Sequence, residues 1–172
     1  MPVSAEEPWC SKKAEYWIGP SKVGERRWWK NGQLSDEHPM TNGVLHGVAR
    51  WWREDGRTLV SEHSYGAGVL DGESRGWHEN GKLATETHYR RGKKEGLESE
   101  WNEEGALLWR LPYRGGRLHG VARYWKGRGK LQIPFMKISP PLTFWIDGVE
   151  VSRVEYIQAS KTNASLPALN EP

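Results

Sequence analysis

The fold is decided by one stretch of the sequence, Gly72-Glu-Ser-Arg-Gly-Trp-His-Glu-Asn-Gly-Lys-Leu-Ala-Thr-Glu-Thr-His-Tyr-Arg-Arg-Gly92. Its centre, Asn80-Gly81, favours a two-residue type I′ turn, because both central residues of that turn need a positive φ angle, which Asn and Gly adopt most readily. Turns of this kind join two antiparallel strands whose twist they match. The stretch therefore predicts a β-hairpin.

The hairpin is one copy of an internal repeat with a period of about 24 residues. The turn glycines of the five copies are Gly32, Gly56, Gly81, Gly105 and Gly129. A tryptophan stands four residues before each of them, and a leucine stands two or three residues after it. Self-similarity at a fixed period is the signature of a repeat architecture. The sequence therefore predicts an all-β protein, an elongated antiparallel sheet of tandem β-hairpin repeats with one short C-terminal helix.

The pattern divides the chain into three segments. Residues 1–13 lack periodicity and are expected to form a flexible leader, and residues 14–159 a single repeat domain. Residues 160–172 are polar and contain proline, which predicts a disordered tail. Inside the domain, Asp147-Gly148 predicts a closing hairpin. Ser152 followed by Glu155 matches a capping box and predicts a short helix that ends at about Ala159.

Opposite charges are predicted to face each other across the hairpins. Counting outward from each turn gives the cross-strand partners, since antiparallel partners have a constant sum of residue numbers. The predicted pairs are Arg26–Glu37, Arg50–Glu62, Arg75–Glu86 and, with both members changed, Ser99–Arg110. Each ion pair across a ladder contributes a few tenths to about 1 kcal/mol. We therefore interpret the arginine column as structural, with a basic stripe that awaits an acidic partner as the alternative.

The composition narrows the possible functions. The formal charge is +3, and positive and negative residues are interspersed, which argues against a nucleic-acid partner even at a pI of about 9.0. No apolar run reaches the roughly 18 residues of a membrane span, and the first residues lack the apolar core of a signal peptide. The single cysteine, Cys10, excludes an internal disulfide. We therefore expect a cytoplasmic protein without a membrane partner.

No motif points to catalysis, a cofactor or a metal. Gly72-Glu-Ser-Arg-Gly76 fits the G-x-S-x-G pattern of serine hydrolases, but that pattern requires a sharp strand-to-helix turn, and here it begins a repeat strand. A hydrolase that uses Ser74 is kept as a remote alternative. The histidines form no H-x-x-x-H or Cys/His cluster. We expect no enzyme activity and no catalytic residue.

The units resemble the MORN-variant repeat of the bacterial toxin-antitoxin system antitoxin-like family. The matching segments are Gly47-Val-Ala-Arg-Trp-Trp-Arg-Glu-Asp-Gly56, Gly72-Glu-Ser-Arg-Gly-Trp-His-Glu-Asn-Gly81 and Tyr89-Arg-Arg-Gly-Lys-Lys-Glu-Gly96, and the resemblance covers roughly residues 16–131. It implies a non-catalytic protein-binding module, an antitoxin or immunity-type inhibitor that binds and neutralises a protein toxin. A MORN-type scaffold that contacts membrane lipid or another protein is the alternative.

Aromatic residues beyond the repeat pattern mark the expected binding surface. The repeat tryptophans, such as Trp77, are expected to form the core, whereas alternation along the strands turns the additional aromatics to the opposite face. Exposed Trp and Tyr beside Arg are typical anchors of protein interfaces. The predicted partner-binding residues are Trp29, Trp51, Trp109, Tyr124, Arg27 and Arg53. The alternative is that an end segment, residues 135–142, covers these aromatics.

Overall fold

A computed structural model describes residues 10–125 and 142–169. They form one open antiparallel sheet, with a short helix after its last strand. Strands that are neighbours in the sheet are also neighbours in the chain, so the sheet grows by one hairpin at a time. This arrangement confirms the predicted all-β architecture of tandem hairpins.

Within the described ranges, the sheet has fourteen strands. Those of the first half are β1 (Cys10–Ile18), β2 (Ser21–Trp29), β3 (Leu34–Thr41), β4 (Val44–Leu45), β5 (Gly47–Trp52), β6 (Leu59–Gly66) and β7 (Val69–Trp77). Those of the second half are β8 (Leu83–Arg90), β9 (Lys93–Trp101), β10 (Leu107–Arg114), β11 (Arg117–Leu118), β12 (Gly120–Tyr124), β13 (Leu142–Ile146) and β14 (Val149–Val151). The helix, α1, spans Arg153–Ser160. The two-residue strands β4 and β11 pair with β3 and β10 beside turns.

Two kinds of turn alternate along the sheet. At Asn80-Gly81, the amide of His78 donates to the carbonyl of Lys82 and the amide of Gly81 donates to the carbonyl of His78, at 2.9 and 3.0 Å. Of the two turn residues, only the glycine has a positive φ angle. This is a type I turn followed by a glycine bulge. The predicted type I′ turn was therefore wrong here, because the loop contains one residue more than a type I′ hairpin allows.

The type I′ signature, two successive residues with positive φ angles, occurs at the opposite ends of the strands. These turns are Asn42-Gly43, Ala67-Gly68, Arg91-Gly92, Gly115-Gly116 and Asp147-Gly148. The last of them closes the predicted hairpin of β13 and β14, which is confirmed. Each repeat thus uses one bulged turn and one tight turn, and the tight turns set the spacing between successive hairpins.

Hydrogen bonds between turns join each repeat to the next. At the tight turns, the amide of Gly92 donates to the carbonyl of Leu70 at 2.7 Å, and equivalent bonds occur at the other glycines of this class. At the bulged turns, the side-chain amide of Asn80 donates to the carbonyl of Glu103 at 2.7 Å. Successive hairpins are therefore connected at both ends of their strands as well as along the ladders.

A row of charged side chains crosses one face of the sheet at right angles to the strands, and we call this side the charged face. The directly opposed residues of the row are, in strand order, Arg26, Glu37, Arg50, Glu62, Arg75, Glu86, Ser99, Arg110 and Arg123. Ion pairs connect consecutive members from Arg26 to Glu86, with N–O distances of 2.9–3.4 Å. All four predicted cross-strand pairs are confirmed.

The compact apolar core lies at the C-terminal end of the charged face. Its buried members are Val121, Phe144, Tyr156 and Leu166. Val121 and Phe144 are directly opposed on β12 and β13, and Tyr156 belongs to α1, so the helix covers this end of the sheet. The predicted capping box at Ser152 and Glu155 is confirmed by both of its hydrogen bonds. The helix docks on the last strands because they present an apolar surface there.

Several expectations differ from the structure. β1 begins at Cys10, inside the predicted leader. Residues 161–169 pack instead of forming a disordered tail: Leu166 is buried against the core, and the Tyr156 hydroxyl donates to the carbonyl of Pro167 at 3.0 Å. No tryptophan of the described residues is fully buried, and Trp125 is 43% exposed, because a single-layer sheet has no second layer to cover them. The fifth predicted turn, at Gly129, lies outside the described residues.

Replacement of Gly92 by alanine tests the tight turns. Gly92 has a φ angle of +78°, and an added Cβ would meet its nearest neighbour, the Cβ of Val69, at 3.8 Å, which is an ordinary contact. The loss should therefore come from backbone strain, which is about 1–2 kcal/mol for a left-handed L-residue. We expect the free energy of unfolding in urea to fall by that amount. Gly24→Ala is the control, since Gly24 has no left-handed φ angle and comparable space; equal losses in the two variants would contradict the strain argument.

Candidate protein-binding face

The other side of the sheet carries a row that is aromatic at both ends, and we call this side the aromatic face. Its directly opposed residues are, in strand order, Arg27, Asp36, Trp51, Ser61, Gly76, Thr85, Glu100, Trp109 and Tyr124. Trp51 on β5 and Trp109 on β10 are five strand steps apart in the sheet, which is about 24 Å at the usual strand spacing. Small and polar residues between them form a shallow trough with an aromatic wall on each side.

The first wall borders a cavity of 610 Å³. Its lining includes Arg27, Trp29, Asp36, Trp51 and Trp52. The indole nitrogen of Trp29 donates to the carbonyl of Trp52 at 3.2 Å, which joins the first unit to the second. The cavity is therefore formed by side chains whose positions are held by contacts between repeats.

Trp51 is held between two histidines. The rings of His38 and His63 contact it edge-on, each with a centroid distance of 5.1 Å. The Nε2 atom of His38 lies 2.7 Å from Oδ1 of Asp36, and the hydroxyl of Ser35 donates to Oδ2 of the same carboxylate at 2.8 Å. Asp36 is 2% exposed, and a buried carboxylate is stable only when it is paired. Asp36 thus orients His38 against Trp51, a role that sequence analysis missed.

A second buried carboxylate, Glu25, lies beside the cavity on β2. It is 6% exposed and receives Lys22 at 2.9 Å, Arg27 at 3.0 Å and Lys13 at 3.1 Å. Burial opposes ionisation of Glu25, but the hydrogen bonds from Lys22, Lys13 and Arg27 outweigh it and lower its pKa to about 2. The cluster keeps Arg27 in place at the edge of the cavity.

The second wall is formed by Trp109 and Tyr124, which are directly opposed on β10 and β12. Burial raises the pKa of the Tyr124 hydroxyl, so the hydroxyl is neutral and able to donate a hydrogen bond. Next to this wall, Glu100 lies opposite Trp109, and burial together with the neighbouring charge of Glu98 raises its pKa. Two carboxyl groups thus lie beside the second wall, and that of Glu98 is ion-paired with Lys94.

The structure separates the six predicted partner-binding residues into two groups on the aromatic face and one residue at a turn. Arg27, Trp29 and Trp51 surround the cavity, and Trp109 and Tyr124 form the second wall. All four aromatic side chains are half-buried. Arg53 lies beyond β5, where its guanidinium group reaches Glu79 at 3.4 Å, so it is not part of either wall.

The alternative covering of these aromatics by residues 135–142 stays a prediction, because residues 135–141 lie outside the described residues. The first residue after them, Leu142, packs against the core on the charged face. α1 also lies on the charged face. In the described part of the chain, α1 therefore covers the side of the sheet opposite the two aromatic walls.

Ser74 does not lie in the environment that its sequence motif requires. It sits within β7, which continues through a bulged turn into β8, whereas the G-x-S-x-G motif acts at a strand-to-helix turn. Its hydroxyl lies 2.5 Å from Nδ1 of His63 on the neighbouring strand. Burial lowers the pKa of His63, which favours a neutral imidazole in this pair. The contact is a cross-strand polar pair on the aromatic face, beside the row.

Within residues 10–125 and 142–169, no group of three or more His, Cys, Asp and Glu side chains is placed to hold a metal ion. No helix in these ranges is both long and apolar enough to cross a membrane.

The MORN repeat variant family model matches residues 70–91, which comprise most of the hairpin of β7 and β8. The chain therefore contains a MORN-type repeat, and the structure places similar hairpins on both sides of it. Such repeats are consistent with a non-catalytic module for protein or lipid binding. No curated protein matches the sequence.

Replacement of Glu25 by glutamine tests the buried cluster. The pKa of Glu25 is about 2 in the folded state, below the roughly 4.3 of an unfolded glutamate, so its charge stabilises the fold above about pH 4.3. That contribution is lost as the pH falls through the folded-state value. We expect Glu25→Gln to lower the free energy of unfolding at pH 7 and the deficit to shrink below about pH 4.3. Glu103→Gln, on an exposed turn, is the control; a deficit independent of pH would refute the assignment.

Replacement of Glu100 by glutamine should change the free energy of unfolding in the opposite direction. Burial and Glu98 raise the pKa of Glu100, so its ionised form is disfavoured in the folded state and costs stability above the folded-state pKa. Below about pH 4.3 the carboxyl is protonated in both states and the cost disappears. We expect Glu100→Gln to be more stable than wild type at pH 7 and equal to it at low pH, as measured by urea unfolding across this range. A less stable variant at pH 7 would show that the carboxylate is favourably paired.

Proposed function

We propose that this protein is a non-catalytic cytoplasmic inhibitor of the antitoxin or immunity type, which binds and neutralises a protein toxin through its aromatic face. The observation that supports this most is the pair of aromatic walls on one rigid sheet, with a trough of small residues between them. Large aromatic side chains beside polar groups are the residues that contribute most to protein interfaces. Their placement on strands, instead of loops, keeps the loss of conformational freedom on binding small.

The dimensions of the trough fit an element of a protein partner. An α-helix with its side chains is about 10–12 Å across, so it fits between walls that are about 24 Å apart. An apolar side chain of the partner would enter the cavity beside Trp29 and Trp51. Glu100 would attract a basic side chain of the same element. A basic amphipathic segment is therefore the partner element that we propose.

Binding of a membrane lipid is the less favoured function for this face. Contact with anionic lipids relies on clusters of free Lys and Arg at the surface. Here Arg27 donates to Glu25, and the acidic pair Glu98 and Glu100 lies at the second wall. Glu98 is paired with Lys94, and the carboxylate of Glu100 would repel anionic headgroups. Catalysis by Ser74 is disfavoured by its position inside a strand, and labelling by a fluorophosphonate that is lost in Ser74→Ala would revive it.

The test uses a double variant that removes one anchor from each wall, Trp51→Ala/Tyr124→Ala. Its matched control is Tyr16→Ala/Trp125→Ala, which removes the same two side-chain types from exposed positions outside the trough. Partners are captured from the native host with wild type and both variants, and affinities for the captured protein are measured. Loss of a central anchor is worth about 2 kcal/mol or more, which corresponds to a roughly 30-fold weaker affinity for each. We expect the trough variant to lose the partner and the control to keep it, while circular dichroism shows both folded.

The antitoxin part of the proposal has its own test. The captured protein should arrest growth when it is expressed alone, and co-expression of wild type, but not of the trough variant, should restore growth. Equal capture by both variants would exclude the aromatic face. A captured protein that binds through the trough but is harmless would exclude the antitoxin function and leave a protein-binding module.

A further inference from the structure

The second half of the chain contains a long segment without acidic residues. Residues 105–146 include no Asp or Glu, and their basic residues are Arg110, Arg114, Arg117, Arg123, Lys126, Arg128, Lys130 and Lys137. Because the whole chain has a charge of +3, the remaining residues carry −5. The prediction that positive and negative residues are interspersed is therefore wrong for this segment. Its excess of basic residues is balanced by acidic residues elsewhere, so the net charge of the whole chain does not show it.

On the charged face, the alternation of arginine and glutamate along the row ends in this segment. Earlier hairpins have a glutamate at the second position of each cross-strand pair, as in Glu62 and Glu86, whereas the fourth hairpin has Arg110. Arg110 also lies directly opposite Arg123 on β12. Like charges that face each other across a ladder destabilise a sheet. The row therefore contains a local electrostatic cost that its members from Arg26 to Glu86 avoid.

The two arginines keep most of their donors available. The Nε atom of Arg110 donates to the hydroxyl of Ser99 at 3.2 Å, and Arg123 is exposed. Among the described residues, no carboxylate forms an ion pair with either guanidinium group. Residues 126–141, which lie between β12 and β13, contain no acidic residue that could do so.

We propose that Arg110 and Arg123 form a binding site for an acidic side chain, Asp or Glu, of a protein partner. An earlier part of the same row shows that a carboxylate fits between two arginines. Glu37 lies 3.2 Å from both Arg26 and Arg50, so two guanidinium groups share one carboxylate. A carboxylate of a partner that lies above Arg110 and Arg123 would remove their repulsion and form charge-assisted hydrogen bonds to both.

A nucleic acid fits this site less well than a carboxylate. A nucleic-acid strand needs a continuous basic track, because each nucleotide adds a phosphate. Along the row, carboxylates follow within a few strands, beginning with Glu86, and the rest of the chain is acidic overall. The geometry favours one local acidic group. This site lies on the face opposite the trough, so the inference goes beyond the proposed function and can be tested independently of it.

The variant Arg110→Glu gives two readouts that should move in opposite directions. It restores the alternation of the row by placing a glutamate opposite Arg123, so its melting temperature should rise by about 2 °C. It also removes the site, so its affinity for a fluorescein-labelled oligoglutamate peptide should fall roughly tenfold or more. The control is Lys30→Glu, which makes the same change of net charge at an exposed turn outside the row.

The outcomes separate a specific site from general charge attraction. Peptide binding by wild type and Lys30→Glu, with loss in Arg110→Glu, supports the proposal, and a melting temperature that is raised in Arg110→Glu but not in Lys30→Glu supports its electrostatic cause. Equal loss in both variants would mean that only net charge matters and would overturn it. No peptide binding by wild type would also overturn it, as would tighter binding of an oligothymidylate of equal charge.

Discussion

Hydrogen bonding between successive hairpins is the interaction on which the remaining structure depends. A single two-stranded hairpin is at best marginally stable in water, and this sheet has one layer over most of its length. Each hairpin is therefore stabilised by the ladders to its neighbours, and by bonds between turns such as those from Gly92 to Leu70 and from Asn80 to Glu103. Because these bonds use backbone atoms and the turn asparagines, they leave the outward side chains of the strands free to vary.

The register of the strands determines the chemistry of the two faces. A slip of one residue would move every side chain of a strand to the other face. The second unit contains one extra residue after its turn, yet Arg50 still lies opposite Glu62. The longer loop absorbs the insertion, since the amide of Arg53 donates to the carbonyl of Thr58 at 2.9 Å. The charged row and the aromatic row thus remain on opposite faces across the nine strands that carry them, from β2 to β12.

The sequence was sufficient for features that depend on local spacing. The period, the four cross-strand pairs and the capping box at Ser152 follow from counting residues, and the structure has all of them. The type of turn at Asn80-Gly81 was missed because Asn-Gly suits both a type I′ turn and a type I turn with a bulge, and the choice depends on a single loop residue. The role of Asp36 was missed because its burial and the contact of its partner His38 with Trp51 depend on the neighbouring strand, although Ser35 and His38 are close to Asp36 on β3 itself.

Predictions from average properties, such as the composition of the last residues or the repeat pattern of the tryptophans, missed the behaviour of individual residues. The last residues are polar as a group, but Leu166 finds an apolar surface on β12 and β13 that composition cannot reveal. Burial of the repeat tryptophans was overestimated because the number of layers in a sheet is not encoded in the repeat itself. The candidate walls were predicted by side-chain type, and their arrangement into one row required the observed register.

The charged row changes its pattern of charges along the sheet while the backbone pairing stays the same. Up to Glu86, the charged row neutralises itself, so substitution there would disturb ion pairs that join neighbouring hairpins. At Ser99 and Arg110 both members of the pair differ from the earlier hairpins, yet they remain directly opposed. The ladder therefore tolerates a change of charge without a change of register. A repeat sheet of this kind can acquire a binding surface by exchanging side chains at one row position, and the cost in stability stays local because the bonds between hairpins are made by the backbone.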